Sequence, residues 1–273
     1  MSILKKISTN PPKKLSKKKV KKETAQLLEK MHEYQKLMFA QEKYSLLIVL
    51  QGMDASGKDG TIRTIFSGIN PLWCRVYGFK KPTSQEAAHD FLWRVHKNTP
   101  GNGMIHIFNR SHYEDILVPS VEKTFPAKII EQRYEHINNF EKLVSSDNNT
   151  RILKFYLHIS PEEQKKSLED RMINPQKHRK HNDGDRDSRA KWDKYMKVYE
   201  RIFKKCNDKP RHIIPSDKNW YKVNLVTKAI LAELETMDLG WPELETDLKA
   251  KVKAIKQAHE NGDDKKKKKK KKK

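Results

Sequence analysis

The chain has 273 residues, 36% hydrophobic and 34% charged, which suits one large α/β domain with a very polar surface and leaves no run of about 18 apolar residues for a membrane-spanning helix. Its two cysteines, Cys74 and Cys206, lack metal-ligand spacing, which argues against a disulfide scaffold and points to a reducing, cytoplasmic setting. The net charge of +23 sits mainly in the tails: nine lysines in residues 1–22 and nine more at 265–273 leave +5 for residues 23–264. Like charges in a run repel and stay solvated. The expectation is therefore a disordered tail at 1–22, one domain at 23–262 and a disordered poly-lysine tail at 263–273.

In chain order, Ser45–Gln51 (SLLIVLQ) is a continuous apolar run, as expected of a strand buried on both faces. A glycine-rich turn follows, then a helix over Lys58–Ile69. Arg75–Phe79 reads as a second strand, Ser84–Lys97 as one helix capped by Ser84, and Gly103–Asn109 as a third strand. Pro126–Ser145 is helical and Arg151–Ile159 is a fourth strand. Ser160-Pro161 opens the next helix, with Glu163 at the capping-box position. Asn174–Ser188, nearly without apolar residues, reads as a long mobile loop. Ala190–Lys205 is a helix, Arg211–Pro215 a fifth strand, Tyr221–Met237 a closing helix, and Glu243–His259 a helical segment with no assigned partner. Strands alternating with helices predict an α/β fold with a five-stranded parallel sheet covered on both faces.

Gly52-Met53-Asp54-Ala55-Ser56-Gly57-Lys58-Asp59-Gly60 fits G-x-x-x-x-G-K between a buried strand and a helix. Such a loop wraps its N–H groups around phosphate, and Lys58 and the helix N-terminus add positive charge. Gly52, Ala55, Ser56, Gly57, Lys58, Asp59 and Gly60 are the phosphate-binding candidates. Asp59 stands where an ordinary P-loop has the Ser or Thr that holds Mg²⁺. Asp54 is a candidate Mg²⁺ ligand or general base, while Asp59 could equally stabilise the helix N-terminus.

Asn109, Arg110, Glu114 and Asp115 follow the third strand, and ligands of parallel sheets sit beyond the strands' carboxyl ends. Asp115 is the favoured metal ligand here and Glu114 the second choice. Arg110 could fork onto a phosphate or pair with one of these acids. His112 could carry a phosphoryl group, but packing at a helix start is the commoner role for such a histidine. Phe91, Leu92 and Val95 form a core-type stripe, and Trp192 and Tyr195 fit the core better than a base-stacking role.

GMDASGKDGTIR, GFKKPT, HDFLWRVH and IFNRSHYEDILV, in that order, resemble the polyphosphate kinase 2 family from about Leu46 to Leu234. The resemblance implies a P-loop kinase fold related to thymidylate kinase, with a helical lid at about 171–189. It implies direct in-line transfer between inorganic polyphosphate and nucleotides, with Asp54, Lys58, Arg110 and Asp115 at the chemistry. The NRSHYED form resembles the subgroup that accepts nucleoside mono- and diphosphates. Mg²⁺ (with Mn²⁺ as substitute), ADP, AMP and ATP, guanine nucleotides as further candidates, and a homodimer or tetramer belong to the same expectation. A long polyanion needs a row of cations, and Arg63, Lys80 and Lys81 beside the P-loop, with Arg171, Lys177, Arg179, Lys180, Arg186 and Arg189 in or beside the lid, can supply it. An ATP-dependent nucleoside monophosphate kinase is the alternative; Asp59 and the Lys80-Lys81 pair speak against it. No nucleic-acid-binding motif accompanies the basic tails.

Overall fold

The structure, a computed structural model, describes residues 2–180, 184–209, 211–243 and 247–257. Strands β1 (Ser45–Gln51), β2 (Cys74–Gly78), β3 (Ile105–Asn109), β4 (Thr150–His158) and β5 (Arg211–Pro215) form one sheet in the order β2-β3-β1-β4-β5, with every pairing parallel. β1 lies at the centre, and all seven of its residues are buried. Because side chains alternate along a strand, Leu47 and Val49 enter one core and Leu46, Ile48 and Leu50 the other.

Ten α-helices are described in the unit ending at Leu239: α1 (Lys17–Gln41), α2 (Lys58–Phe66), α3 (Ser84–Ala87), α4 (Trp93–His96), α5 (Glu114–Glu122), α6 (Ala127–Asp147), α7 (Pro161–Ile173), α8 (Gly184–Ala190), α9 (Trp192–Lys205) and α10 (Asn219–Thr236). One core joins the sheet to α5, α6 and α9 through residues such as Ile116, Ile137, Phe140 and Tyr199. The other joins it to α1, α2 and α10 through Met31, Met38, Ile65 and Ile230. Both faces of the parallel sheet are therefore covered, as the alternation of elements predicts. No helix among the described residues is long and apolar enough to cross a membrane.

Four expectations change. Residues 2–22 are ordered: Leu4 is only 4% exposed and joins the core, and Asp217 accepts from Thr9 Oγ1 at 2.7 Å and Asn10 Nδ2 at 2.9 Å. Ser16 caps α1, whose stripe of Val20, Thr24, Met31, Gln35 and Met38 is buried while its lysines stay in solvent. Ser84–Lys97 is two short helices, not one. Thr83 rather than Ser84 caps the first, in a capping box with Glu86, and the Asp90 carboxylate accepts from Leu92 N at 2.9 Å, a local turn that interrupts the helix. Asn174–Ser188 carries helical pieces: Pro175–Lys180 is a 3₁₀ helix opened by Asn174, whose carbonyl accepts from Lys177 N at 2.8 Å, and α8 follows. A second unit begins at Gly240, inside the expected 23–262 domain, and its described part carries a helix over 247–257. Residues 244–246 and 258–259 of the expected Glu243–His259 helix, and the 263–273 tail, lie outside the described residues.

Candidate active site

The loop after β1 closes tightly onto α2. A side chain at Gly52 (φ +151°) would meet Ser56 Oγ at 2.8 Å and the Leu157 carbonyl at 2.9 Å. Gly57 is left-handed (φ +89°), and the space its Cβ would need is filled by the Lys222 ammonium. Gly52 and Ser56 are buried and shape the loop, whereas Asp54, Ala55, Gly57, Lys58, Asp59 and Gly60 face a cleft of 960 Å³.

Lys58 is 8% exposed and donates to the carbonyls of Gly52 at 2.8 Å and Met53 at 3.1 Å. Burial pushes its pKa down to about 8, aided by the Arg110 charge and opposed by Asp54. Lys222 on α10, 3% exposed, donates to the Ser56 carbonyl at 2.9 Å. Burial and the Lys58 charge push it down to about 8 as well. Two buried ammonium groups thus support the loop from within. Asp59, in the first turn of α2, accepts from Asn109 Nδ2 at 2.8 Å.

Arg110 has a left-handed backbone (φ +64°), and its N–H donates to the Leu50 carbonyl at 3.0 Å, holding the turn after β3 against β1. Its guanidinium bonds the Asp54 carboxylate and reaches Glu114 Oε2 at 3.5 Å. Burial pushes the Glu114 carboxyl up, against the pull of Arg110 and Lys58. One cation therefore stands between two carboxylates. Asp115 is elsewhere: it accepts from Arg94 Nη2 at 2.8 Å and does not line the cleft. Successive helical residues point about 100° apart, so Glu114 and Asp115 cannot share one direction. The favoured metal ligand of the sequence reading is thus an ion-pair partner of Arg94, and of the three candidate carboxylates Asp54, Glu114 and Asp115 only Asp54 lines the cleft. Among the described residues no group of three or more His, Cys, Asp or Glu side chains is placed to hold a metal.

His112 is wholly buried, with Nε2 3.2 Å from Glu141 Oε1, away from the cleft. Tyr195 is buried in the core and Trp192 packs against it. Lys80 and Lys81 after β2, Arg63 on α2, and Arg171 and Lys177 at the lid base all line the cleft. Its lining holds seven cations (Lys58, Arg63, Lys80, Lys81, Arg110, Arg171, Lys177) against three carboxylates (Asp54, Asp59, Asp170). Lys177 pairs with Asp170. Arg189 does not line the cleft; it donates to the Pro161 carbonyl at 2.7 Å and Gln164 Oε1 at 3.3 Å. The side chains of Arg179, Lys180 and Arg186 lie outside the described residues.

The family model described as Polyphosphate kinase 2 (PPK2) matches residues 14–240. The chain belongs to the polyphosphate kinase 2 family. It is similar to the AMP/ADP-polyphosphate phosphotransferase of Meiothermus ruber, 44% identical over 224 residues that make up 81% of this chain and 84% of the relative. It is also similar to the ADP-polyphosphate phosphotransferase of Rhodopseudomonas palustris, 34% identical over 244 residues and 84% of each chain. The crystal structure of polyphosphate kinase 2 from Arthrobacter aurescens TC1 superposes with a TM-score of 0.86 at 36% identity, covering 92% of this chain and 90% of the other. The fold is therefore the α/β P-loop kinase fold of polyphosphate kinase 2. The family match begins before α1, so that helix belongs with the P-loop unit.

Sequence reasoning missed three residues that shape this polyphosphate kinase 2 site: Arg94, Gln164 and Lys222. Arg94 lies in HDFLWRVH, a segment read as packing, and Gln164 and Lys222 lie on helices far along the chain from the P-loop.

Proposed function

We propose that this enzyme transfers a phosphoryl group from inorganic polyphosphate to ADP, and to AMP, by direct in-line displacement in the P-loop cleft. The observation that carries the reading is the cleft lining, a row of seven cations around a P-loop with an aspartate where Ser or Thr would be. A chain of phosphates longer than a nucleotide's needs cations spread along its length. The relatives named as ADP- and AMP/ADP-polyphosphate phosphotransferases support the same substrates.

In this reading, Lys58 and the loop N–H groups hold the terminal phosphates, and Arg63, Lys80 and Lys81 hold the chain behind them. The acceptor nucleotide enters from the lid side, where Arg171 and Lys177 offset its phosphates, joined by Arg179 and Lys180. The attacking atom is an already ionised phosphate oxygen, so no general base is required. Arg110 leans from Asp54 and Glu114 towards the transferring group, and catalysis is mainly positioning and charge compensation. Asp54 lines the cleft and fits a hard divalent ion, which takes one or two carboxylates together with substrate phosphates; Glu114 shares Arg110 with it and does not itself line the cleft. Mg²⁺ held by Asp54, or Mn²⁺ in its place, would neutralise charge on the donor and acceptor oxygens. The reading extends to guanine nucleotides as acceptors, a homodimer or tetramer, and a cytoplasmic location, with the free thiols of Cys74 and Cys206 in keeping with the last.

The test is incubation with Mg²⁺, long-chain polyphosphate and ADP or AMP, with chromatography of the nucleotides and a Lys58→Ala control. ATP from ADP and ADP from AMP, both lost in the variant, are expected. Product from ATP plus AMP but none from polyphosphate would overturn the reading.

A further inference from the structure

Gln164 on α7 is wholly buried, yet its amide is used at both ends by segments distant in sequence. Nε2 donates to the Asp54 carbonyl of the P-loop at 3.1 Å, and Oε1 accepts from Arg189 at 3.3 Å. Arg189 lies on α8 at the distal end of the lid and also grips the Pro161 carbonyl, in the first turn of α7, at 2.7 Å. The Asp54 side chain is bonded by Arg110. One amide therefore stands between the lid's return and the loop residue that positions the Arg110–Glu114 pair. A guanidinium bonded to the amide oxygen polarises the amide and strengthens its N–H as a donor, so the two hydrogen bonds reinforce each other. Any displacement of α8 that removes Arg189 weakens the hold on Asp54.

We infer that Gln164 is a positioning residue that couples the lid to the P-loop: with Arg189 in place, Asp54 is fixed, and with Arg189 withdrawn, the loop loosens. The inference rests on the proposed phosphotransfer only for its kinetic readout. The alternative is a buried glutamine that merely packs.

Hydrogen exchange separates the two without reference to activity. Arg189→Met in the full-length protein is expected to speed exchange of the amides at residues 52–58 at least several-fold. In a Gln164→Met background the same substitution adds nothing, because the relay is already cut. Gln164→Glu keeps the volume and the Arg189 contact but removes the donor to Asp54, and should loosen the loop as Gln164→Met does; it serves if the methionine variant does not fold. In the assay with polyphosphate and ADP, each single variant should lose about tenfold or more in kcat with nucleotide KM within about threefold, and the double variant no more than the worse single. Unchanged exchange at 52–58 in Arg189→Met, or additive losses in the double variant, would overturn the coupling. Wild-type turnover, measured alongside, tells a failure of this inference from a failure of the proposed function.

Discussion

Arg94 holds Asp115 through Nη2 at 2.8 Å, and the same guanidinium donates from Nη1 to the Lys80 carbonyl at 2.8 Å. A single buried cation thus ties the first turn of α5 to the loop that carries Lys80 and Lys81. The pair is 5% and 12% exposed, so Arg94→Met strands a carboxylate in the interior. Breaking a buried pair by removing one partner costs about 3–5 kcal/mol. A fall in melting temperature of roughly 6–15 °C is expected, with a raised KM for polyphosphate as the Lys80-Lys81 loop loosens. Arg94→Met with Asp115→Asn should recover part of the stability. A melting temperature within about 2 °C of wild type would show that the pair does not anchor α5.

Lys58 and Lys222 give the P-loop a distinctive proton balance. Both are pushed down to about 8 from 10.5. Between about pH 8 and 10.5 the folded state therefore binds fewer protons than the unfolded chain. The cost of burying the two charges is fully present below about pH 8, and stability rises as pH rises through that window. A polyanion on the loop favours the charged forms, so polyphosphate binding at about pH 8.5 should take up protons and its KM should climb above pH 8. Titration calorimetry in two buffers of different ionisation enthalpy measures the uptake, which Lys58→Met should reduce. Heats that do not differ between buffers would contradict the assignment.

The central β1–loop–α2 unit was legible because an apolar run and a glycine-lysine pattern are local signals, and the five strands followed from alternation. What was not legible depends on meetings between distant segments. Gln164 and Lys222 touch the P-loop from α7 and α10, and no spacing relates them to it. Glu114 and Asp115 are neighbours in sequence, and only the packing of α5 shows which of them turns towards Arg110. In α1 the buried Val20, Met31 and Met38 recur at helical spacing, but the lysines around Val20 masked the stripe. Around Asn174–Ser188 scarce apolar residues suggested a loop, although Asn174, which accepts from Gln176 N through its side chain at 3.1 Å and from Lys177 N through its carbonyl at 2.8 Å, opens a short helix there.

Glu141 accepts from Lys154 Nζ at 2.7 Å and from the Tyr113 hydroxyl at 2.5 Å, with His112 at 3.2 Å. Burial alone would raise its pKa, but His112 and Lys154 hold it down to about 2, from 4.5. Its stabilisation is present above about pH 4.5 and is lost as pH falls towards 2. Glu141→Gln should flatten the acid limb of the stability curve over that window, read by melting at successive pH values. An unchanged slope would show that other carboxylates control acid unfolding. Because His112 sits inside this network, no acid-labile phosphohistidine is expected after incubation with polyphosphate.

Gly57 tests whether the turn itself sets phosphate binding. At φ +89° a side chain is strained by about 1–2 kcal/mol, and a methyl group would also displace the Lys222 ammonium from the loop. Gly57→Ala is expected to lose at least about tenfold in kcat/KM, because each 1.4 kcal/mol of lost transition-state stabilisation is a factor of ten, and to lower the melting temperature. Shortening Lys222 in the same chain (Lys222→Ala) frees the space but not the dihedral angle, and it removes the bond to the Ser56 carbonyl. The double variant should therefore regain little activity. Gly60 differs: no atom lies within 4 Å of an added Cβ, and it sits inside α2, where alanine is favoured by about 1 kcal/mol. Gly60→Ala should melt higher than wild type while Gly57→Ala melts lower. If both shift together, the left-handed turn at Gly57 is not what makes glycine necessary there.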